Sequence, residues 1–403
     1  MESKPGEVFM ADVKRSYVLR DWLEGRINGI QASMLLGVSY RHALRLRRKF
    51  EREGLKGILR RKRGRKAVSE EIKREICRLY DEVYQRRLNI MHFKDKLEEV
   101  HGIRLSYEKI RQILIENGLH EVRKKRRKFR KRRQRMPKRG MLVQMDTSEH
   151  EWIEGLGRWC LISAIDDASG EVLYAQFEEK DTAFANMEVI KRIIKKHGIF
   201  HALYVDRASH FKTTRRGGLW YDVDEEQGDT NIEKCLSELG ITLIPAYSPQ
   251  AKGRIERSFG TFQGRLINEL WIRGIKDYDE ANRFLKEEFI PWYNERFALK
   301  VEESVFRPLP EGIDLELVFT KRTTRRVNKD NTIKFYGQTI QLLPTKMKLN
   351  FLRAKVEVRW SSKGRFWILY KGKVIFKGKL SRNNKLLKKE KKIDSILKER
   401  AYH

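Results

Sequence analysis

Cysteine is nearly missing from this 403-residue chain. Cys77, Cys160 and Cys235 lie far apart with no C-x-x-C spacing, which excludes a disulfide framework and a thiolate zinc site as organising features. The expectation is three separate thiols in a reducing compartment. No run of about 18 apolar residues occurs, and no apolar segment follows the N-terminus, so neither a membrane span nor a secretory leader is expected. A G-x-x-x-x-G-K-[ST] loop is absent, so ATP use is not expected. Nothing supplies a Ser or Tyr nucleophile in a setting that would activate it for recombination. Negative charge is also scarce, 55 acidic residues against 88 Lys and Arg, for a formal net charge of +33. Such an excess calls for a polyanionic partner, and nucleic acid is the leading one. The length allows several domains, each with its own core.

What is present falls into blocks of different period. Over residues 14–60, Val18, Leu23, Ile27, Ile30, Met34, Leu35 and Leu36 precede a turn at Gly37-Val38-Ser39 and a basic segment. This predicts a helix-turn-helix in which Ser39 caps the last helix. Such a helix enters the DNA major groove. Arg41, His42, Arg45, Arg47 and Arg48 would face outward, with Leu44, Phe50 and Leu55 inward, and Arg41, Arg45 and Arg48 are the expected DNA contacts. A second helical module spans 66–120, with Ile72, Ile76, Leu79, Tyr80 and Val83 on a helical period and further helices near 90–100 and 106–117. It reads equally as a second helix-turn-helix or as a structural spacer. Residues 121–139 hold thirteen Lys or Arg and one acidic residue, Arg126 and Arg127 among them. So dense a run cannot form a core and is expected to be a linker that clamps phosphates.

From residue 140 to about 300 the pattern changes to short apolar runs at 142–146, 159–165 and 172–177, then a helix over 183–194, a strand at 202–205, a helix near 231–239 and a strand at 241–246. Three antiparallel strands followed by alternating helix and strand predict an α/β RNase H-like core with a mixed five-stranded sheet, interrupted by an insertion at 208–230. Residues 320–382 alternate as strands and predict a small all-β barrel of about five strands for DNA binding or assembly, followed by a basic tail over 383–403.

Three acids stand where this topology can bring them together: Asp146 at the end of the first strand, Asp206 at the end of the fourth, and Glu256 on the helix after the fifth. On that helix Ile255, Phe259, Phe262 and Leu266 define the buried stripe, with Glu256 at its edge. Clustered carboxylates offer hard oxygen ligands to Mg²⁺ or Mn²⁺, and two such ions about 3.5–4 Å apart suit phosphodiester chemistry. Lys252, Arg254 and Arg257 would lie near the scissile phosphate and position DNA without reading sequence. Asp166 and Asp167, just before Ser169-Gly170, are expected to serve a hairpin turn.

Gln144-Met145-Asp146, Tyr204-Val205-Asp206 and the block from Ser248-Pro249-Gln250 to Ile255-Glu256-Arg257 resemble the three catalytic blocks of DDE transposases and retroviral-type integrases, with the nearest similarity to ISNCY-type bacterial insertion-sequence transposases. The resemblance implies an RNase H-like catalytic domain holding two Mg²⁺ (or Mn²⁺) ions on Asp146, Asp206 and Glu256. It further implies hydrolysis at transposon ends to expose 3′-hydroxyls, and their direct attack on target DNA. The implied partners are double-stranded DNA and further copies of the chain in a synapse, in a bacterial or archaeal cytoplasm at the nucleoid. Two departures stand out. Forty-nine residues separate Asp206 from Glu256, more than in familiar integrases, and the integrases' N-terminal His/Cys zinc module is missing. Two other readings compete: an RNase H-like nuclease or resolvase that cuts without joining, and a domesticated DNA-binding protein.

Overall fold

Alternation of apolar and polar residues in the middle of the chain is realised as one mixed sheet in a computed structural model. The structure describes residues 10–59, 68–121, 133–206, 211, 229–246, 253–345 and 349–380. Arg126, Arg127, Lys252, most of the 208–230 insertion and the 383–403 tail lie outside the described residues. The chain divides into two units, Met1–Glu75 and Ile76–His403.

In the first unit, α1 (Met10–Leu23), α2 (Gly29–Leu36), α3 (Tyr40–Glu53) and α4 (Leu55–Ile58) enclose a small core of Leu19, Trp22, Ala32, Ala43 and Ile58. Local chemistry sets the helix ends. The Asn28 side chain accepts the Gln31 amide while Gln31 accepts the Asn28 amide, both at 2.9 Å, which starts α2 with a capping box. Gly37, left-handed at φ 64°, ends α2, and Ser39 accepts the His42 amide to start α3. Gly29 is required by close approach, since a Cβ there would lie 2.6 Å from the Tyr40 ring. The inward register of α2 runs through Ala32 and Ser33, so Ile30, Met34 and Leu35 face outward at 62%, 76% and 66% exposure. Leu55 is likewise exposed, and Arg47 leaves the basic face to stack 4.9 Å over the Trp22 ring.

Helix α5 (Glu70–Arg78) runs into a π turn, Leu79–Val83. The wider turn rotates the register, burying Tyr84 and leaving Val83 exposed where a regular helix would bury it; Ile72 is exposed as well. In the second unit, α6 (Ile90–Glu99) and α7 (Tyr107–Glu116), capped by Asn89 and Ser106, close a core with Ile76, Leu79, Phe93, Leu97, Ile110 and Ile113.

The central sheet is built from β1 (Val143–His150), β2 (Trp159–Asp166), β3 (Val172–Glu178), β4 (Ala202–Val205) and β5 (Thr242–Pro245) in the order β3-β2-β1-β4-β5. The first three strands pair antiparallel, while β1–β4 and β4–β5 are parallel. One face carries Val143, Met145, Leu203 and Val205 into a core with α8 (Ala183–His197) and α9 (Asn231–Glu238). The opposite face meets α10 (Gly253–Ile272), α11 (Tyr278–Phe284) and α12 (Ile290–Phe297) through Leu161, Ile165, Val172, Ile255, Phe262 and Leu266. Both faces are therefore covered, which is why β2 reads as a continuous apolar run rather than an alternation.

Helix α6 is fixed to the far end of α10. The carboxylate of Asp95 meets Arg265 of α10 at 2.7 Å and Arg296 of α12 at 2.6 Å. Glu269 of α10 meets His92 at 2.7 Å and Lys96 at 2.8 Å. Beyond α13 (Leu315–Val318), β6 (Lys321–Arg326), β9 (Lys355–Trp360), β10 (Arg365–Tyr370) and β11 (Lys373–Lys379) form an antiparallel sheet in the order β11-β10-β9-β6, and β7 (Thr332–Phe335) with β8 (Gln338–Gln341) form a separate hairpin. Sheet and hairpin share one core around Phe335, Phe351, Val358 and Phe366. Arg322 and Arg359 of this module meet Glu238 of α9 at 2.6 and 2.7 Å.

Candidate active site

The register of β1 against β4 decides where the first two acids stand. Gln144 is level with Tyr204. Asp146 follows two residues later, in the middle of β1 rather than at its end as expected from sequence, and Asp206 is the first residue beyond β4, the strand that neighbours β1. Side chains alternate along a strand. Because Val143, Met145, Leu203 and Val205 point to the α8 side, Gln144, Asp146 and Tyr204 point to the face on which α10 lies. Asp146 is half-buried and Asp206 exposed.

Helix α10 lays Ile255, Phe259, Phe262 and Leu266 into the core of that face, the stripe expected from sequence. Glu256 sits in its first turn, exposed, one residue after the fully buried Ile255. Glu256 thus lies on the helix that covers the sheet face to which Asp146 points. Among the described residues, however, no group of three or more His, Cys, Asp or Glu gathers closely enough to hold a metal ion. Two buried oxygens on this face, Gln144 Oε1 and Ser163 Oγ, have no hydrogen-bond partner, and Ser163 is paired across the strands with Asp146.

The Asp166-Asp167 pair divides into two roles that sequence reading did not separate. Asp166 is the turn residue: its carboxylate accepts the Gly140 amide at 2.8 Å and the Ser169 amide and hydroxyl at 2.8 and 2.9 Å. Asp167 is fully buried and gathers donors from remote segments. It accepts Gln144 Nε2 at 2.6 Å, the Met136 amide at 2.9 Å and Arg254 Nη1 at 2.6 Å, and it also meets the Arg133 guanidinium. Arg254 Nη2 donates to the Arg133 carbonyl at 2.6 Å. Burial lowers the pKa of Arg254 while Asp167 pulls the other way, and the guanidinium stays charged. No local signal reveals this hub, because its partners are 34 and 87 residues from Asp167.

The expected DNA contacts fare unevenly. Arg41, Arg45 and Arg48 are exposed along one face of α3, and Arg257 is exposed on α10. Arg254 instead turns inward, its side chain only 15% exposed and committed to Asp167.

No protein-family model matches the chain. A Sinorhizobium fredii protein named as a transposase is 33% identical over 375 residues, spanning 90% of this chain and 79% of that protein. The transposase of a Streptococcus pneumoniae insertion sequence is 30% identical over 370 residues, spanning 82% of this chain and 77% of its own length. Among solved structures, the catalytic core domain of HTLV-2 integrase in complex with magnesium matches 39% of this chain and 85% of its own at 15% identity and a TM-score of 0.29. A simian T-cell lymphotropic virus intasome in complex with a PP2A regulatory subunit matches 70% and 94% at 14% identity and a TM-score of 0.32. At these scores neither structural likeness carries an argument.

Proposed function

The chain belongs to the insertion-sequence transposases, and from that premise we propose that it is a DDE-type enzyme whose Asp146, Asp206 and Glu256 cut transposon ends and join them to target DNA. What supports this reading is the β1–β4 pairing, which makes the strand that carries Asp146 the neighbour of the strand that Asp206 follows, with α10 over one face of the sheet. The donor chemistry fits a hard divalent cation: carboxylate oxygens, beside two buried oxygens with unfilled hydrogen-bonding capacity. Asp146 and Asp206 would hold the metal, with Glu256 completing the set when the first turn of α10 is drawn toward the strand ends. When bound, two Mg²⁺ or Mn²⁺ ions supply stabilisation of the attacking and leaving oxygens of the phosphodiester.

The remaining residues do the binding. Arg41, Arg45 and Arg48 on α3 read transposon ends in a major groove, as in a helix-turn-helix. Arg257, exposed on the turn that carries Glu256, holds a phosphate beside the reacting one. Residues 121–139 clamp phosphates without reading sequence. The β-rich module offers an open cleft of about 830 Å³ between the end of β6 and the hairpin, lined by Arg325, Arg326, Lys329 and Lys334, which suits a further stretch of DNA backbone. Two or more copies of the chain assemble on paired ends.

Asp146→Asn, Asp206→Asn and Glu256→Gln are each expected to abolish Mg²⁺-dependent cleavage and strand transfer while end binding stays within about threefold, since phosphate affinity comes from Lys and Arg. Robust cleavage by any one variant removes that residue from the catalytic set. Cleavage by the wild type without joining would favour a nuclease or resolvase.

A further inference from the structure

We infer that Asp167 is a positioning residue that ties the end of the basic linker to the helix carrying Glu256, so that linker seating sets the catalytic geometry. This rests on the catalytic assignment of Asp146 and Glu256. Gln144, two residues before Asp146, and Arg254, two residues before Glu256, both donate to the one buried carboxylate of Asp167. Arg133 and the Met136 amide, from the end of the linker, donate to the same group. Three segments distant in sequence therefore converge on one side chain. The second Arg254 nitrogen bonds the Arg133 carbonyl, so the linker and the first turn of α10 are joined twice.

Asp167 is not proposed as a metal ligand: it is fully buried, and its Oδ1 carries two guanidinium donors and the Gln144 amide while Oδ2 accepts the Met136 amide. Its backbone lies in the β2–β3 turn, but the carboxylate that braces that turn is Asp166's. A buried carboxylate is tolerated only when paired and hydrogen-bonded, so each cation on Asp167 bears on its stability. Withdrawing Arg133 leaves Arg254 as the one remaining cation on the carboxylate among the described contacts, and α10 loses half of its link to the linker. Catalytic constellations tolerate little error: a displacement of about 1 Å costs roughly 100-fold in rate. Phosphates that seat residues 121–139 on DNA thereby also fix the helix bearing Glu256, which couples end binding to catalytic competence.

The test uses the full-length protein with Asp167→Asn, Arg133→Gln and the double variant. Strand-transfer kcat and end-binding Kd are measured with precleaved ends, and hydrogen exchange of residues 253–259 is followed without metal. Asp167→Asn should lower kcat roughly 100-fold with Kd within about threefold, and α10 first-turn amides should exchange at least about tenfold faster. Arg133→Gln should lower kcat about tenfold, and the double variant should be no worse than Asp167→Asn alone. Arg133 is partly exposed, so its variant decides the matter even if Asp167→Asn fails to fold. Multiplicative losses in the double variant, or unchanged exchange in α10, would overturn the coupling. Glu256→Gln, run in parallel, separates the two ideas: an active Glu256→Gln sinks the catalytic assignment, whereas a dead one beside a fully active Asp167→Asn sinks the coupling alone.

Discussion

The two N-terminal helical modules start from the same pattern and end as different objects. Each has an Asn or Ser cap ahead of its second and third helices and an apolar stripe at helical spacing. The first closes a small core of its own, falls in a separate unit and keeps a row of exposed arginines on α3. The second belongs to the catalytic unit, where the polar side of α6 is spent on α10 and α12 through Asp95, His92 and Lys96. Module likeness in sequence therefore does not carry likeness of role. What separates the two is the destination of a few charged side chains: outward to solvent in one, inward to arginine and glutamate partners in the other.

The comparison breaks most visibly at Asp95. Its side chain is 5% exposed and lies between Arg265, 6% exposed, and Arg296. Asp95→Ala leaves a buried guanidinium uncompensated and should cost about 3–5 kcal/mol in urea or thermal unfolding of the catalytic unit. A loss below about 1 kcal/mol would mean that water replaces the carboxylate and that α6 is held by apolar contact alone.

That junction also marks where sequence ceases to be informative. Strand order was legible because each buried strand is a short apolar run and the first three follow one another through short connections. The α10 stripe was legible from spacing alone, since Ile255, Phe259, Phe262 and Leu266 repeat at helical period. Asp95 and Arg265 were not, because charged residues on a helix are ordinarily assigned to solvent and nothing local reports that two such faces meet 170 residues apart. The π turn at Leu79–Val83 escaped for a related reason, since one extra residue in a turn leaves the local composition unchanged while rotating all that follows. In the candidate site, strand order made the strands of Asp146 and Asp206 neighbours, whereas the hub at Asp167 depends on side chains from the linker end, β1 and α10. Leu55 shows the converse error: an apolar residue expected to pack inward that is exposed.

A second, smaller effect lies in the acid limb of stability. Burial alone would raise the pKa of Glu269, yet hydrogen bonds from His92 and Lys96 outweigh it and hold the carboxyl at about 2. A depressed pKa stabilises the fold above the ordinary value near 4.5, and this contribution is lost as pH falls from there toward 2. The loss from this one group should be on the order of 2 kcal/mol. Glu269→Gln should flatten stability against pH across that window, and an unchanged acid limb would show that the junction carries no net charge coupling.

The smallest effect tests the other side of the comparison, on α3. If the first module reads bases, Arg45→Ala should remove a contact worth about 1–3 kcal/mol of discrimination, so the preference for cognate over random duplex should fall roughly tenfold. Stability of the catalytic unit should not change, because Arg45 is exposed and lies in the other unit. Binding titrations at several salt concentrations separate base contact from phosphate contact. An arginine on a phosphate releases counterions, so its removal would lower the slope of log K against log salt by about 0.9 and weaken both duplexes alike. An arginine on a base edge would leave random-duplex affinity nearly intact and weaken the cognate duplex alone. Equal losses on both duplexes would reduce α3 to a phosphate anchor, and recognition of ends would have to be sought elsewhere in the chain, with the exposed face of α7 next in line.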